Sequence, residues 1–150
     1  SYGNIYITPA KPANVGLSFY SLDPYGNVRW QNSISSQYGE IITEPTINKY
    51  GETIIGGDDT LYCYKFDGSL IWKKSIAPYT APLIVSDNDC NIYLTSWSNN
   101  NNKVIALSRQ GETLWEFTIE DSFILQTPVL TDVNTLIVPS FRENFLYVMR

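Results

Sequence analysis

The chain has 150 residues, 43% hydrophobic and 14% aromatic, which is enough apolar material for a packed domain and argues against disorder. Ten basic against fifteen acidic side chains give a net charge of −5 with no block of like sign, so a nucleic-acid backbone is repelled rather than recruited. Histidine is absent, which excludes Ser-His and Cys-His nucleophile pairs and every His-ligated metal centre. Cys63 and Cys90 are too far apart for a CxxC signature, and Cys63 reads as a buried thiol. No apolar run reaches the roughly 18 residues of a membrane span, and Ser1 opens neither a basic segment nor an apolar signal core.

In chain order, the first unit offers strands at Asn4-Ile5-Tyr6-Ile7 and Phe19-Tyr20-Ser21-Leu22, the turn Asp23-Pro24-Tyr25-Gly26, and a strand through Trp30. The second begins at Glu44-Pro45-Thr46-Ile47, turns at Asn48-Lys49-Tyr50-Gly51, and continues through Thr53-Ile54-Ile55-Gly56 and Leu61-Tyr62-Cys63-Tyr64. It then turns at Asp67-Gly68 and ends in a strand carrying Trp72. The third repeats this order, with Ala81-Pro82-Leu83-Ile84, Asn91-Ile92-Tyr93-Leu94, Val104-Ile105-Ala106-Leu107, the turn Arg109-Gln110-Gly111 and Trp115. The fourth holds Thr127-Pro128-Val129-Leu130, Thr135-Leu136-Ile137-Val138 and Leu146-Tyr147-Val148-Met149.

The spacing Gly-x-x-x-Trp recurs at Gly26 to Trp30, Gly68 to Trp72 and Gly111 to Trp115, with tryptophans 42 and 43 residues apart. A blade-sized period, four short strands per unit and no helical periodicity predict an all-β fold, a β-propeller of four-stranded antiparallel blades. About four repeats are expected, near 1–42, 43–79, 80–126 and 127–150 within one region 1–150, the first and last blades incomplete. Asp67-Gly68 predicts a two-residue type I′ hairpin. Proline at the head of a blade's first strand is tolerated because that residue need not donate to the ladder. Trp30, Trp72 and Trp115 are expected at equivalent fourth-strand positions, largely buried between blades.

The segment Leu61-Tyr62-Cys63-Tyr64-Lys65-Phe66-Asp67-Gly68-Ser69-Leu70-Ile71-Trp72 resembles the repeat of pyrroloquinoline-quinone-type (PQQ-like) propellers, which pairs an LYALD-like strand with a G-x-x-x-W strand. The resemblance recurs from Tyr20 to Trp30 and from Ile105 to Trp115. It implies a propeller, eight-bladed in many members, whose repeated tryptophans dock between neighbouring blades. The repeat serves calcium-dependent quinone dehydrogenases and also non-enzymatic proteins, among them the propeller lipoprotein of outer-membrane protein assembly and many secreted modules. This chain resembles the second group. It lacks the adjacent cysteines of many such dehydrogenases, a Trp-Gly-Asp run, and a Glu, Asn and Asp cluster suited to calcium and quinone.

Asp87-Asn88-Asp89-Cys90-Asn91 has the alternating oxygens of a calcium loop but lacks the glycine and later glutamate of an EF-hand, so it reads as a turn. Asp58 and Asp59 read as a solvated strand connection, and Glu120 with Asp121 as a loop pair without a partner base. No catalytic residue, metal ligand or cofactor is expected. The connections between second and third strands, and between blades, are longer than the turns at the opposite end. Binding is therefore expected on that long-loop face, at Trp97, Lys11, Arg142 and Ser122.

These readings describe a non-catalytic binding or scaffold module outside the cytoplasm, with a protein or carbohydrate partner. The incomplete end blades add an expectation of self-association or of membership in a larger propeller. The alternative is a fragment of a PQQ-dependent, calcium-dependent dehydrogenase, and a third reading is a structural spacer.

Overall fold

In a strand, successive side chains leave opposite faces, so a segment such as Leu61-Tyr62-Cys63-Tyr64, apolar at every position, demands burial on both sides. The computed structural model, which describes residues 3–8, 17–34, 43–57, 59–76, 83–96, 102–119, 127–131, 135–139 and 146–149, meets that demand by stacking antiparallel sheets face to face. The first sheet is β1 (Ile5–Ile7), β2 (Leu17–Leu22) and β3 (Val28–Ile34). The second is β4 (Thr46–Ile47), β5 (Thr53–Gly56), β6 (Thr60–Tyr64) and β7 (Leu70–Ser75). The third is β8 (Leu83–Ser86), β9 (Ile92–Ser96), β10 (Asn102–Leu107) and β11 (Thr113–Ile119), and the fourth is β12 (Val129–Leu130), β13 (Leu136–Pro139) and β14 (Leu146–Met149). Each sheet is a meander in chain order, and β4, β8 and β12 each begin directly after a proline. No helix of the described residues is long and apolar enough to cross a membrane.

The cores lie between sheets. Tyr6, Phe19, Trp30 and Ile34 of the first sheet meet Ile55, Tyr62 and Tyr64 of the second. Ile54, Leu61, Cys63, Trp72 and Ile76 of the second meet Ile84, Ile92, Leu94, Ile105 and Leu107 of the third. Val85, Tyr93, Val104 and Ile119 of the third meet Leu130, Leu136, Val138, Tyr147 and Met149 of the fourth. Along β6, Leu61 and Cys63 thus face the third sheet while Tyr62 and Tyr64 face the first. Cys63 is a free, buried thiol whose pKa burial pushes up to about 12, so packing rather than reactivity is its role. It lies directly across the ladder from Trp72, as Ser21 does from Trp30 and Ala106 from Trp115, a small residue making room for each indole.

The turns differ from the expected type I′ form. Gly68 donates to Lys65 O at 3.0 Å and Lys65 N to Ser69 O at 2.8 Å, and of the turn residues only Gly68 has positive φ, at +85°. That is a three-residue loop closed by one left-handed residue, with the ladder shifting register between Cys63 and Tyr64. Gly26, Gly51 and Gly111 close equivalent turns, and Cys90 takes the left-handed position at φ 66° without being glycine.

The tryptophans join neighbouring sheets at these turns. Trp30 Nε1 donates to Phe66 O at 2.9 Å, Asn32 Nδ2 to Gly68 O at 2.8 Å, and Trp72 Nε1 to Arg109 O at 2.8 Å. A Cβ on Gly68 would stand 2.7 Å from the Trp30 ring, and one on Gly111 would stand 2.9 Å from the Trp72 ring. Glycine is therefore required twice over, for its φ and for the indole against it. The expectation that all three indoles are largely buried needs correction. Trp30 and Trp72 are half-buried because each lies over a turn at the sheet's rim, and Trp115 is 37% exposed, with no such turn against it among the described residues.

Candidate binding site

The hairpin turns share one end of the stack, and in several of them the first side chain builds the turn. Asn48 Oδ1 accepts from Tyr50 N at 3.0 Å and Glu52 N at 3.1 Å; Asp87 Oδ1 accepts from Asp89 N and Asn91 N, both at 2.8 Å. Asp87 Oδ2 is taken by Asn91 Nδ2 and the Tyr93 hydroxyl, so this segment's oxygens serve its own turn. Burial first, then the bond to Asp87, pushes the Tyr93 hydroxyl up to about 12.

The same turn geometry gives different chemistry at the two best-defined junctions. Between the second and third sheets, Arg109 reaches back from the β10–β11 turn and forms a fork with Glu52, Nη2 to Oε1 at 2.6 Å and Nε to Oε2 at 2.9 Å. Its guanidinium lies 3.9 Å from the centroid of the Tyr50 ring. Between the first and second sheets, Phe66 stands at the place of Arg109 and Asn4 at the place of Glu52, as the strand pairings fix it. No ion pair closes that junction among the described residues. A groove of about 460 Å³, lined by Glu52, Ile71, Trp72, Arg109 and Gln110, lies at the paired junction, and one of about 480 Å³, lined by Asn4, Tyr6, Ile47, Asn48, Tyr50 and Phe66, lies at the unpaired one.

Two aromatic rings stay open at this second groove. Tyr50 is 56% exposed, and Phe66 is 50% exposed with the Arg29 guanidinium 5.5 Å from its centroid. Asn4 Nδ2 donates to the Tyr6 hydroxyl at 3.2 Å, while Asn4 Oδ1 is buried without a partner, an acceptor left unspent. Three carboxyls are held by hydrogen bonds of their own. Hydrogen bonding from Arg109 keeps the Glu52 carboxyl below its ordinary value, and hydrogen bonds from Asn27 and Ser69 do the same for Asp23 and Asp67. A general acid needs the opposite displacement. Among the described residues no group of three or more Cys, Asp and Glu side chains gathers to hold a metal ion.

The residues expected to bind, Lys11, Trp97, Ser122 and Arg142, lie outside the described residues, as do Asp58, Glu120 and Asp121. At the two ends of the connection that carries Trp97, however, Ser96 Oγ and Asn102 Oδ1 are buried without partners. Sequence reasoning passed over Tyr50, Phe66 and Asn4. The signal was an exchange of residue types at equivalent repeat positions, visible only once the repeats are superposed strand by strand.

No family model matches the chain, and no curated protein matches it in sequence. Solved structures do. The chain superposes on a protein of unknown function from Bacteroides caccae (TM-score 0.63, 13% identity, 98% of this chain and 54% of that one). It superposes on BamB from Moraxella catarrhalis at TM-score 0.68 and 14% identity, covering 97% of this chain and 47% of that one. A catalytically inactive virginiamycin B lyase from Staphylococcus aureus, solved with quinupristin, gives 0.61 at 11% identity over 99% of this chain and 60% of the other. The fold is an all-β propeller. The chain spans about half the length of these neighbours, and since one of them is a lyase, catalysis has to be argued from the site rather than from the fold.

Proposed function

We propose that this chain is a non-catalytic binding or scaffold module whose rigid blades present turns and loops to a protein or carbohydrate partner. The observation that carries the reading is the groove between the first and second sheets, where the open Tyr50 and Phe66 rings stand beside the unspent Asn4 acceptor. Flat aromatic surface beside a few directed polar atoms suits sugar rings and extended peptides alike. The long-loop end, with Trp97, Lys11, Ser122 and Arg142, is proposed as a second contact surface, which the unpartnered Ser96 and Asn102 atoms at the base of the Trp97 connection support. The resemblance of the repeat to those of secreted and cell-surface modules supports a setting outside the cytoplasm.

Calorimetric titration with a panel of soluble oligosaccharides and of extended peptides tests the reading. One class should bind without turnover, and Phe66→Ala should weaken that binding about tenfold, a typical loss for one ring contact of roughly 1.4 kcal/mol. Turnover of a panel member would refute it. So would binding that neither Phe66→Ala nor Trp97→Ala alters.

A further inference from the structure

The strands β3, β7 and β11 each end their sheet, and the far edge of each is unpaired among the described residues. They differ in what their polar side chains do. On β3, Gln31 Nε2 donates to Ser18 Oγ at 3.0 Å, Asn32 Nδ2 donates to Gly68 O, and the Arg29 guanidinium lies over the Phe66 ring. On β11, Glu116 is taken by Lys103 at 2.7 Å. On β7, Lys73 and Lys74 make no hydrogen bond or ion pair among the described residues.

The sequence of β7 divides in two. Leu70 and Ile71, 48% and 38% exposed, form an apolar half with Trp72, and Lys73 and Lys74 form a basic half. The register sets Lys73 across from Tyr62 and Lys74 across from Leu61, so the two ammonium groups leave opposite faces of the sheet. Beside the apolar half lies the groove of about 460 Å³, walled by Ile71 and Trp72. Glu52 and Arg109 neutralise each other there, which leaves the apolar wall as the surface a ligand would meet. The second sheet has a neighbour on each side, and every residue named on this edge belongs to it or to the adjoining turn of the third.

Lysines at a sheet edge hold off a second copy of the same edge, because like charges would meet. The same charges attract a strand of opposite sign. We infer that the free edge of β7 docks an extended segment of a partner protein, with an apolar half along Leu70, Ile71 and Trp72 and an acidic half along Lys73 and Lys74. Main-chain hydrogen bonds to β7 supply affinity, and side chains supply the choice of partner. An apolar side chain of the segment lies in the groove against Ile71 and Trp72, and carboxylates on successive residues, which leave opposite faces, meet Lys73 and Lys74. Elsewhere on a chain of net charge −5 an acidic segment is disfavoured, which confines it to this edge. The site is separate from the groove between the first and second sheets.

Fluorescence anisotropy of the 150-residue chain with labelled octapeptides tests the inference. Each peptide joins a half drawn from Val, Ile, Leu and Phe to a half drawn from Glu and Asp, in both orders, so that parallel and antiparallel addition are both covered. Members of one order should bind, and the same peptides with Lys in place of each acid should not. Lys73→Glu combined with Lys74→Glu should weaken binding at least about tenfold, with circular dichroism showing the variant folded. Backbone methylation separates an added strand from a contact made by side chains alone. Methylating every second peptide amide in one register should abolish binding, and in the other register should spare it, since only alternate amides face β7. The inference falls if no acidic member binds, if the Lys panel binds as well, if both methylated registers behave alike, or if the folded double variant binds unchanged.

Discussion

The two junctions flanking the second sheet share one apolar device and differ in everything polar around it. On both sides an indole lies over a left-handed glycine and donates to a backbone carbonyl two residues before it. On one side the adjoining residues are Glu52, Tyr50 and Arg109, and an ion pair bridges the junction; on the other they are Asn4 and Phe66, no ion pair spans it among the described residues, and a groove flanks each junction. The constant part answers to packing, which tolerates little change in volume. The polar part is free to vary from repeat to repeat, and variation there turns a structural seam into a surface that can hold something.

The largest effects should come from the constant part. Gly68→Ala should cost about 3 kcal/mol, combining about 1 kcal/mol of left-handed strain with overpacking against Trp30, and Gly111→Ala nearly as much. Gly26→Ala has the strain without the clash and should cost only about 1 kcal/mol. Urea unfolding of the three variants measures the difference, and equal losses would show that the indoles yield.

The clamp should show itself through pH. The hydrogen bonds from Arg109 hold the Glu52 carboxyl below its ordinary value of 4.5, so its contribution is fully present above that pH and is lost as the pH falls through the lowered, folded-state value. Melting temperature followed from neutral pH downward should therefore fall less steeply in Glu52→Gln than in the wild type, the curves parting above the ordinary value and converging below it. Parallel curves would mean that the pair does not report on folding.

The smallest effect should come from moving the clamp. Asn4→Glu combined with Phe66→Arg places an ion pair at the open junction and should raise stability by about 0.5 kcal/mol beyond the sum of the single variants, the usual worth of a surface pair. It should also remove the Phe66 ring that lines the groove. Loss of ligand binding with stability held would sharpen the comparison from structure to function.

The architecture was legible in the sequence because propeller information is local. Each strand pairs with its chain neighbour, so short apolar runs such as Leu61-Tyr62-Cys63-Tyr64 and the recurring Gly-x-x-x-Trp carry nearly all of it. The turn type was missed at Asp67-Gly68 because a dipeptide does not say how many residues have positive φ; the equivalent turns carry a hydrogen-bonding side chain at their head, Asp23, Asn48, Asp87 or Ser108, whereas this one is headed by Lys65. The clamp was illegible for another reason. Glu52 and Arg109 are 57 residues apart, and nothing in either segment says that the two turns meet until the stacking order is known. Tyr50 and Phe66 passed unnoticed because an aromatic residue in a turn looks the same whether its ring is covered or open.

The alternation of residues between neighbouring sheets has a consequence for how disturbance spreads. Ile54 and Ile55 are adjacent in the chain, yet one belongs to the seam with the third sheet and the other to the seam with the first. Each sheet is thus a partition with two tenants, and energy is shared across a seam far more than along a strand. The molecule behaves as a one-dimensional array of coupled seams, in which loosening one leaves the next but one untouched.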